Sequence, residues 1–312
     1  MPTGNIAKRS DIAGVPFAVE NVGPLWRMGY SARVISALPS RLWLREYDRD
    51  LAEFLLKDLR SMTGQFVPKF ISVDIFDTLL LRNGKCESRR FWEISELVRE
   101  KISYSKLGNA FSTAELFVAR CLAMRAGYAC SDTLGGCREG HILQVLATQL
   151  EMLGLPADAQ VLLMDAELEF ETVNLQCNDF LLAVLQEAFP STPIVGLSDT
   201  YLGGAQIQIL IDRLCAGRCR MEAIYSSADI IFNKRTGRAF AHVAQDRRCT
   251  CSDILHIGDN VTSDLIQARL AGCRAQLFPV AHAELDARCR DLNAFLEERR
   301  SEGFPAETYA ML

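Results

Sequence analysis

An apolar segment, residues 70–73, runs directly into Asp74, and Asp77 and Thr78 follow shortly after it. A short apolar run bounded by polar residues predicts a strand covered on both faces, which is typical of parallel α/β sheets. Such sheets bind their ligands at the carboxyl ends of the strands. A carboxylate there can act as a nucleophile when a cation offsets the repulsion between anions. Alone, the pattern is weak, because strands also end in Asp for turn or capping reasons.

Three later segments repeat this arrangement of an apolar run that ends at polar residues. They are residues 193–198, which end at Ser198, residues 222–227, which precede Lys234, and residues 253–258, which precede Asp259 and Asp264. From residue 193 onward, predicted strands and helices alternate and close with a strand at 275–279. Repeated βα units imply right-handed crossovers and a parallel sheet with helices on both faces.

The stretch 83–190, which separates the first two predicted strands, reads mostly as amphipathic helices. Compact domains rarely carry so long a connection without structure of its own, so we predict an inserted helical cap. The predicted helices span residues 89–103, 113–125, 141–153, 158–174 and 178–189. The sequence then divides into a core (68–82 and 191–282), a cap (83–190) and a closing helix with a tail (283–312).

Residues 1–67 fall outside this core and read as a mostly helical extension. Three interpretations stay open. The extension is an oligomerisation arm that gives a homodimer, a flank that contacts substrate, or a helix packed on the core. The packed helix is the plainest of the three.

Charge and hydropathy exclude several classes of partner. The net charge of −5 and the pI near 5.5 argue against nucleic acid, which needs basic surfaces. No apolar run approaches the ~20 residues that span a bilayer. The first 19 residues lack the apolar centre of a secretory signal, so we expect a cytoplasmic protein.

The 11 cysteines include no Cys-x-x-Cys, and we interpret them as free, mostly buried thiols.

Taken together, the four segments resemble the haloacid dehalogenase-like (HAD) superfamily over residues 68–280. The resemblance rests on Asp, Ser, Lys and Gly-Asp with a trailing Asp, in that order and each near a strand end. Four ordered matches are far more specific than any single one. The string from Asp74 to Thr78 also resembles an Asp-x-Phe-Asp-Thr branch of the superfamily. The resemblance implies a Rossmann-like core, a helical type-1 cap and a Mg²⁺-dependent hydrolase for a small phosphorylated molecule.

The resemblance also implies roles for individual residues. Asp74 would be the nucleophile, with Ser198 and Lys234 as catalytic partners that bind the phosphoryl group. The Mg²⁺ ligands would be the side chains of Asp74, Asp259 and Asp264 together with the backbone carbonyl of Phe76. The candidate substrate-binding residues are Thr78, Asp199 and Arg82. In the cap, Arg120, Arg125 and the loop 130–137 are candidates for specificity.

Position 76 departs from the phosphatase pattern, which has an aspartate two residues after the nucleophile as general acid and base. Here that residue is Phe76, and the nearby acid is Asp77. General acid-base help is typically worth ~10²–10⁴ in rate. Either Asp77 reaches the leaving group, another residue or water does so, or the reaction needs no acid.

Because dehalogenases and phosphonatases of the superfamily also lack that aspartate, three functions stay open. Phosphate-ester hydrolysis comes first, since Gly258, Asp259 and Asp264 resemble a metal site that a dehalogenase does not need. A phosphonatase needs a cap lysine, and none stands in a convincing context. The alternatives are HAD-type chemistry of another kind and a non-catalytic binding protein.

Overall fold

The computed structural model describes Lys57, Leu59, residues 66–105, Leu107, 111–278, Val280 and 282–309. All of these belong to one compact unit. The predicted extension, residues 1–67, lies almost entirely outside the described residues, so its three interpretations stay predictions.

Nine strands and ten α-helices follow one another along the described residues. The strands are β1 (Phe70–Val73), β2 (Leu80–Arg82), β3 (Thr133–Leu134), β4 (Cys137–Arg138), β5 (Leu175–Cys177), β6 (Ile194–Ser198), β7 (Met221–Ser226), β8 (Ile254–Gly258) and β9 (Arg274–Leu277). The helices are α1 (Glu87–Ser103), α2 (Thr113–Cys130), α3 (Ile142–Leu153), α4 (Gln160–Asn174), α5 (Asp179–Ala188), α6 (Gly204–Cys215), α7 (Ser227–Ile230), α8 (Arg238–Asp246), α9 (Ala268–Leu270) and α10 (His282–Ser301).

A five-stranded sheet with the order β7-β6-β1-β8-β9 forms the centre, and every neighbouring pair in it is parallel. β1 lies in the middle and all four of its residues are buried, which explains why it lacks polar alternation. Val73 pairs with both Gly196 and Ile257, so β1, β6 and β8 end at the same level. The predicted α/β fold with a parallel sheet is confirmed, and residues after these strands meet at one edge.

Helices α1 to α5 fill the stretch between β2 and β6; their ends lie within two residues of those predicted, except that α2 continues five residues beyond the predicted end at residue 125. α2 begins at a capping box, in which Ser112 Oγ accepts from the backbone N–H of Glu115 and Glu115 accepts from that of Ser112. α3 ends at Gly154, whose φ of 63° suits a residue without a Cβ. We call residues 83–190 the helical segment; its standing as a separate cap stays a prediction.

Two small antiparallel pairs escaped the sequence analysis. β2 pairs with β5 across the base of the helical segment, and β3 pairs with β4 in a hairpin. Strands of two or three residues are too short to give a periodic signal. Both pairs matter for the site, since β2 carries Arg82 and the hairpin leads to Glu139.

Buried ion pairs tie the helical segment together. Arg120 pairs with Glu167 at 2.9 Å, and Tyr201, from the loop after β6, donates to the same glutamate at 2.7 Å. Arg90 pairs with Glu171 in the same interior. Arg120 is only 1% exposed and serves packing in this structure, although the sequence analysis proposed it for specificity.

Cys177 and Cys215 form a disulfide that joins β5 to α6, so the expectation of free thiols is wrong for this pair. Their spacing of 38 residues gives no signal, because only the fold brings the two Cα atoms to 5.3 Å. The other nine cysteines are free. Within the described residues, no helix combines the length and the apolar character needed to cross a membrane.

Candidate active site

Three aspartates converge at the carboxyl edge of the sheet. Asp74 follows β1, Asp259 follows β8, and Asp264 lies in the helical turn after it; one carboxylate oxygen of each lies within 4.8 Å of the others. Gly258 makes this approach possible, since a Cβ there would lie 2.4 Å from Asp264 Cγ. A residue larger than glycine at position 258 would therefore displace the side chain of Asp264 from the cluster.

The sequence predicts a helix over residues 262–271; in the structure its first part, Val261–Gln267, is a π-helix that continues into α9. π-Helical turns are rare and are frequently found at functional sites. Asn260 caps this turn by accepting from the backbone N–H groups of Thr262 and Ser263. Asp264 Oδ2 in turn accepts from the backbone N–H of Asn260 at 2.9 Å, so the acidic side chain is fixed by the turn that carries it.

Lys234 bridges two of the three carboxylates. Its Nζ lies 2.7 Å from Asp74 Oδ1 and 2.6 Å from Asp264 Oδ1, and the residue is 2% exposed. Asp199 accepts from the backbone N–H of Lys234 with both oxygens, at 2.8 and 3.0 Å. Asp199, predicted to bind substrate, therefore holds the loop that carries Lys234.

His256, interpreted from sequence as a packed core histidine, is fully buried and also contacts the site. Its Nε2 lies 3.1 Å from Asp264 Oδ1, and its Nδ1 lies 3.0 Å from Ser72 Oγ. The sequence did contain a signal for this contact. His256 lies inside β8, two residues before Gly258, and alternate residues of a strand lie on the same face of the sheet.

The charges in this cluster oppose one another. Burial raises the pKa of Asp74 well above its usual range, Lys234 acts to lower it, and the neighbouring carboxylates of Asp264 and Asp259 raise it further. Burial also acts to raise the pKa of Asp264, but Lys234 and His256 outweigh it, so that pKa lies below its ordinary value. One lysine does not offset three carboxylates so close together, which favours a further cation.

A hard divalent cation fits this donor set. Mg²⁺ takes oxygen ligands and is usually held by one or two carboxylates plus substrate phosphate. Asp74, Asp259 and Asp264 offer three carboxylates, of which Asp264 is already engaged by Lys234, His256 and Asn260. Asp74 and Asp259 are thus the better placed direct ligands. The backbone carbonyl of Phe76 stays a predicted ligand.

The loop after Asp74 is anchored from the far end of the chain. Asp77 has a φ of 63°, and both its carboxylate oxygens accept from Arg288 of α10, at 3.0 and 2.6 Å. Thr78 is buried and donates to Asp259 Oδ1 at 3.3 Å, so its hydroxyl supports an acidic residue of the cluster. Arg288 was missed because nothing marks it among the other arginines of α10.

A cavity of about 470 Å³ opens over the cluster. The predicted site residues that line it are Asp74, Phe76, Asp77, Arg82, Ser198, Asp199, Lys234, Asp259 and Asp264. Thr78 is not among its walls. A larger cavity of about 930 Å³ lies between α1 and α4 and holds none of these residues.

The helical segment supplies part of the cavity wall and contacts the loop that carries Lys234. Glu139, 5% exposed, accepts from Asn233 Nδ2 at 2.7 Å, from Arg235 Nη2 at 3.0 Å and from Ser227 Oγ at 2.9 Å. Asn233 and Arg235 flank Lys234, so Glu139 holds both neighbours of the buried lysine. Sequence reasoning selected the adjacent loop, 130–137, but not this glutamate.

Comparison with known proteins gives structural likeness only. No protein-family model matches the chain, and no curated protein matches it. A 2-haloacid dehalogenase from Pseudomonas syringae pv. Tomato DC3000 is 18% identical, covers 68% of this chain and 86% of its own, and has a TM-score of 0.45. A HAD family enzyme from Bacteroides thetaiotaomicron, in a magnesium complex, is 15% identical, with coverages of 69% and 94% and a TM-score of 0.43.

The L-2-haloacid dehalogenase from Xanthobacter autotrophicus is 12% identical, with coverages of 66% and 76% and a TM-score of 0.39. Such identities bear on the fold alone, and the TM-scores mark a partial likeness. What this chain shows by itself is an α/β fold with a parallel sheet, and an acidic cluster at one edge of that sheet.

Proposed function

We propose that this HAD-like protein is a Mg²⁺-dependent hydrolase that releases phosphate from a small phosphorylated metabolite. The observation that carries the proposal is the convergence of Asp74, Asp259, Asp264 and Lys234 in one cluster at the sheet edge, in which all but Asp259 are buried. A dehalogenase needs no metal ion, whereas phosphoryl transfer uses a cation that such a group of carboxylates could hold.

In the proposed reaction, Asp74 attacks phosphorus in line with the leaving oxygen. The P–O bond to the leaving group breaks and an aspartyl-phosphate forms on Asp74; water then attacks phosphorus, which frees phosphate and restores the carboxylate. Ser198 donates a hydrogen bond to a phosphoryl oxygen. Lys234 stabilises the negative charge that Asp74 and the transferring group share. A bound Mg²⁺ would neutralise charge on the phosphoryl oxygens.

The leaving group has no dedicated acid in this proposal. Phe76 cannot exchange protons, and the oxygens of Asp77 are occupied by Arg288. We therefore assign Asp77 to anchoring the loop rather than to acid catalysis, and the departing oxygen takes its proton from water. Substrates whose leaving groups are stable as anions should react fastest.

Phosphate release should depend on Mg²⁺ across a panel of phosphorylated sugars, sugar acids and nucleotides, with phosphonates included. Treatment with EDTA should remove the activity and added Mg²⁺ should restore it. Asp259→Asn should raise the Mg²⁺ concentration for half-maximal rate by at least about tenfold, because it removes a direct ligand.

Two other outcomes would each replace the proposal. Activity that survives EDTA without phosphate release would indicate HAD-type chemistry of another kind. A complete absence of turnover, with Mg²⁺ binding intact by calorimetry, would indicate a binding protein.

Phe76→Asp should raise kcat for alkyl phosphates, by up to about 10²-fold, because it restores an acid beside the leaving oxygen. Aryl phosphates, whose leaving groups need no proton, should gain little. Phe76→Leu is the matched control, since it removes the ring without adding an acid. An equal change for alkyl and aryl substrates would contradict the assignment.

A further inference from the structure

Arg82 lines the site cavity, yet its guanidinium makes no hydrogen bond within the described part of the chain. Its side chain is 23% exposed, and its Nε is buried without an acceptor. The nearest carboxylate oxygen, Asp77 Oδ2, lies 3.6 Å from Nη1, which is beyond hydrogen-bond distance. A buried N–H donor without an acceptor is costly, so the Nε of Arg82 is an unmet donor beside the cavity.

Arg82 shares its ion-pair partner with another arginine. Asp77, its ion-pair partner, already accepts two hydrogen bonds from Arg288. Two guanidinium groups therefore share this carboxylate, and its hydrogen bonds go to Arg288 and not to Arg82. The other cavity arginine, Arg235, differs because it donates to Glu139 at 3.0 Å.

Phe76 holds the guanidinium of Arg82 in place. The guanidinium carbon lies 4.4 Å from the centre of the Phe76 ring, which is 7% exposed. Stacking of this kind fixes the plane of the guanidinium and leaves its edge free for a planar anion. The residue that replaces the usual acid thus serves here as a platform for a cation.

We propose that Arg82, stacked on Phe76, binds a second anionic group of the substrate, one that belongs to the leaving portion. The inference rests on the proposed function, in which Lys234 and Ser198 already bind the transferring phosphoryl group. The substrate class is then a phosphate monoester with a further carboxylate or phosphate. A guanidinium edge can donate paired hydrogen bonds to the oxygens of either group.

Matched substrate pairs test this inference. Glycerol 3-phosphate is compared with 3-phosphoglycerate, and glucose 6-phosphate with 6-phosphogluconate, which adds a carboxylate in each case. Fructose 6-phosphate is compared with fructose 1,6-bisphosphate, which adds a phosphate. The wild-type protein should show a kcat/KM about 10- to 100-fold higher for the doubly anionic member of at least one pair, as expected for a charge-assisted hydrogen bond.

Arg82→Gln should abolish that preference, Arg82→Lys should keep part of it, and Arg235→Gln should leave it unchanged. Each preference is a ratio measured on one protein sample, so a partly unfolded variant does not distort it. Phosphate release without any such preference, or a preference that survives Arg82→Gln, would overturn the inference and leave the hydrolase proposal intact. No Mg²⁺-dependent phosphate release from any compound would instead remove the hydrolase proposal and the inference with it.

Discussion

Asp74→Asn is expected to lower kcat for phosphate release by at least about 10⁴-fold, because an amide is a poor nucleophile and a weak metal ligand. The substitution changes neither the size nor the shape of the side chain. Asp74 lies among like charges whose repulsion raises its pKa together with burial, so a neutral isostere should be tolerated by the fold. Steady-state phosphate release and the far-UV circular dichroism spectrum together measure both effects.

The matched control for this variant is Asp199→Asn. Asp199 lines the same cavity but accepts from the backbone of Lys234 instead of facing the phosphoryl group in the proposed reaction. Removing the charge of Asp199 should weaken the hold on the loop that carries Lys234, but it should lower kcat far less than the substitution of Asp74 does. A rate for Asp74→Asn within tenfold of the wild-type rate would reject Asp74 as the nucleophile.

Lys234→Met should lower kcat by about 10²–10³-fold, because it removes a charge aimed at the transferring group. It should also destabilise the apo protein by about 3–5 kcal/mol, since Asp74 and Asp264 lose the buried cation that pairs with them. Urea unfolding in EDTA measures this loss.

Added Mg²⁺ should return part of the lost stability to Lys234→Met, because the ion would offset the same carboxylates. Lys234→Arg is the control, since it keeps the charge but not the shape of the side chain. If Lys234→Met were as stable as the wild-type protein in EDTA, or if Mg²⁺ changed the stability of neither, the cluster would not be the electrostatic unit described here.

The sheet could be predicted because its information is local. β1, β6 and β8 are short, mostly apolar runs, and Asp74, Ser198 and Asp259 lie at or directly after their ends, so the pattern indicated which residues share an edge. The helices of the helical segment were predicted from their amphipathic pattern, which is local as well.

Contacts between distant side chains could not be predicted in this way. Asp77 and Arg288 are 211 residues apart, and nothing in either neighbourhood signals their pairing. Glu139 resembles any glutamate after a turn until the fold brings Asn233 and Arg235 to it. The sequence therefore indicated which residues gather at the site, whereas their supports required the structure.

The central claim, that Asp74 itself carries the phosphoryl group, is tested most directly by trapping that group. The protein is mixed with Mg²⁺ and its best substrate, quenched in acid during the first turnover, digested and examined by mass spectrometry. We expect a phosphoryl group on the peptide that contains Asp74, and none on that peptide from Asp74→Asn. Phosphate released in the first turnover, with Asp74 unmodified at every quench time, would contradict the account.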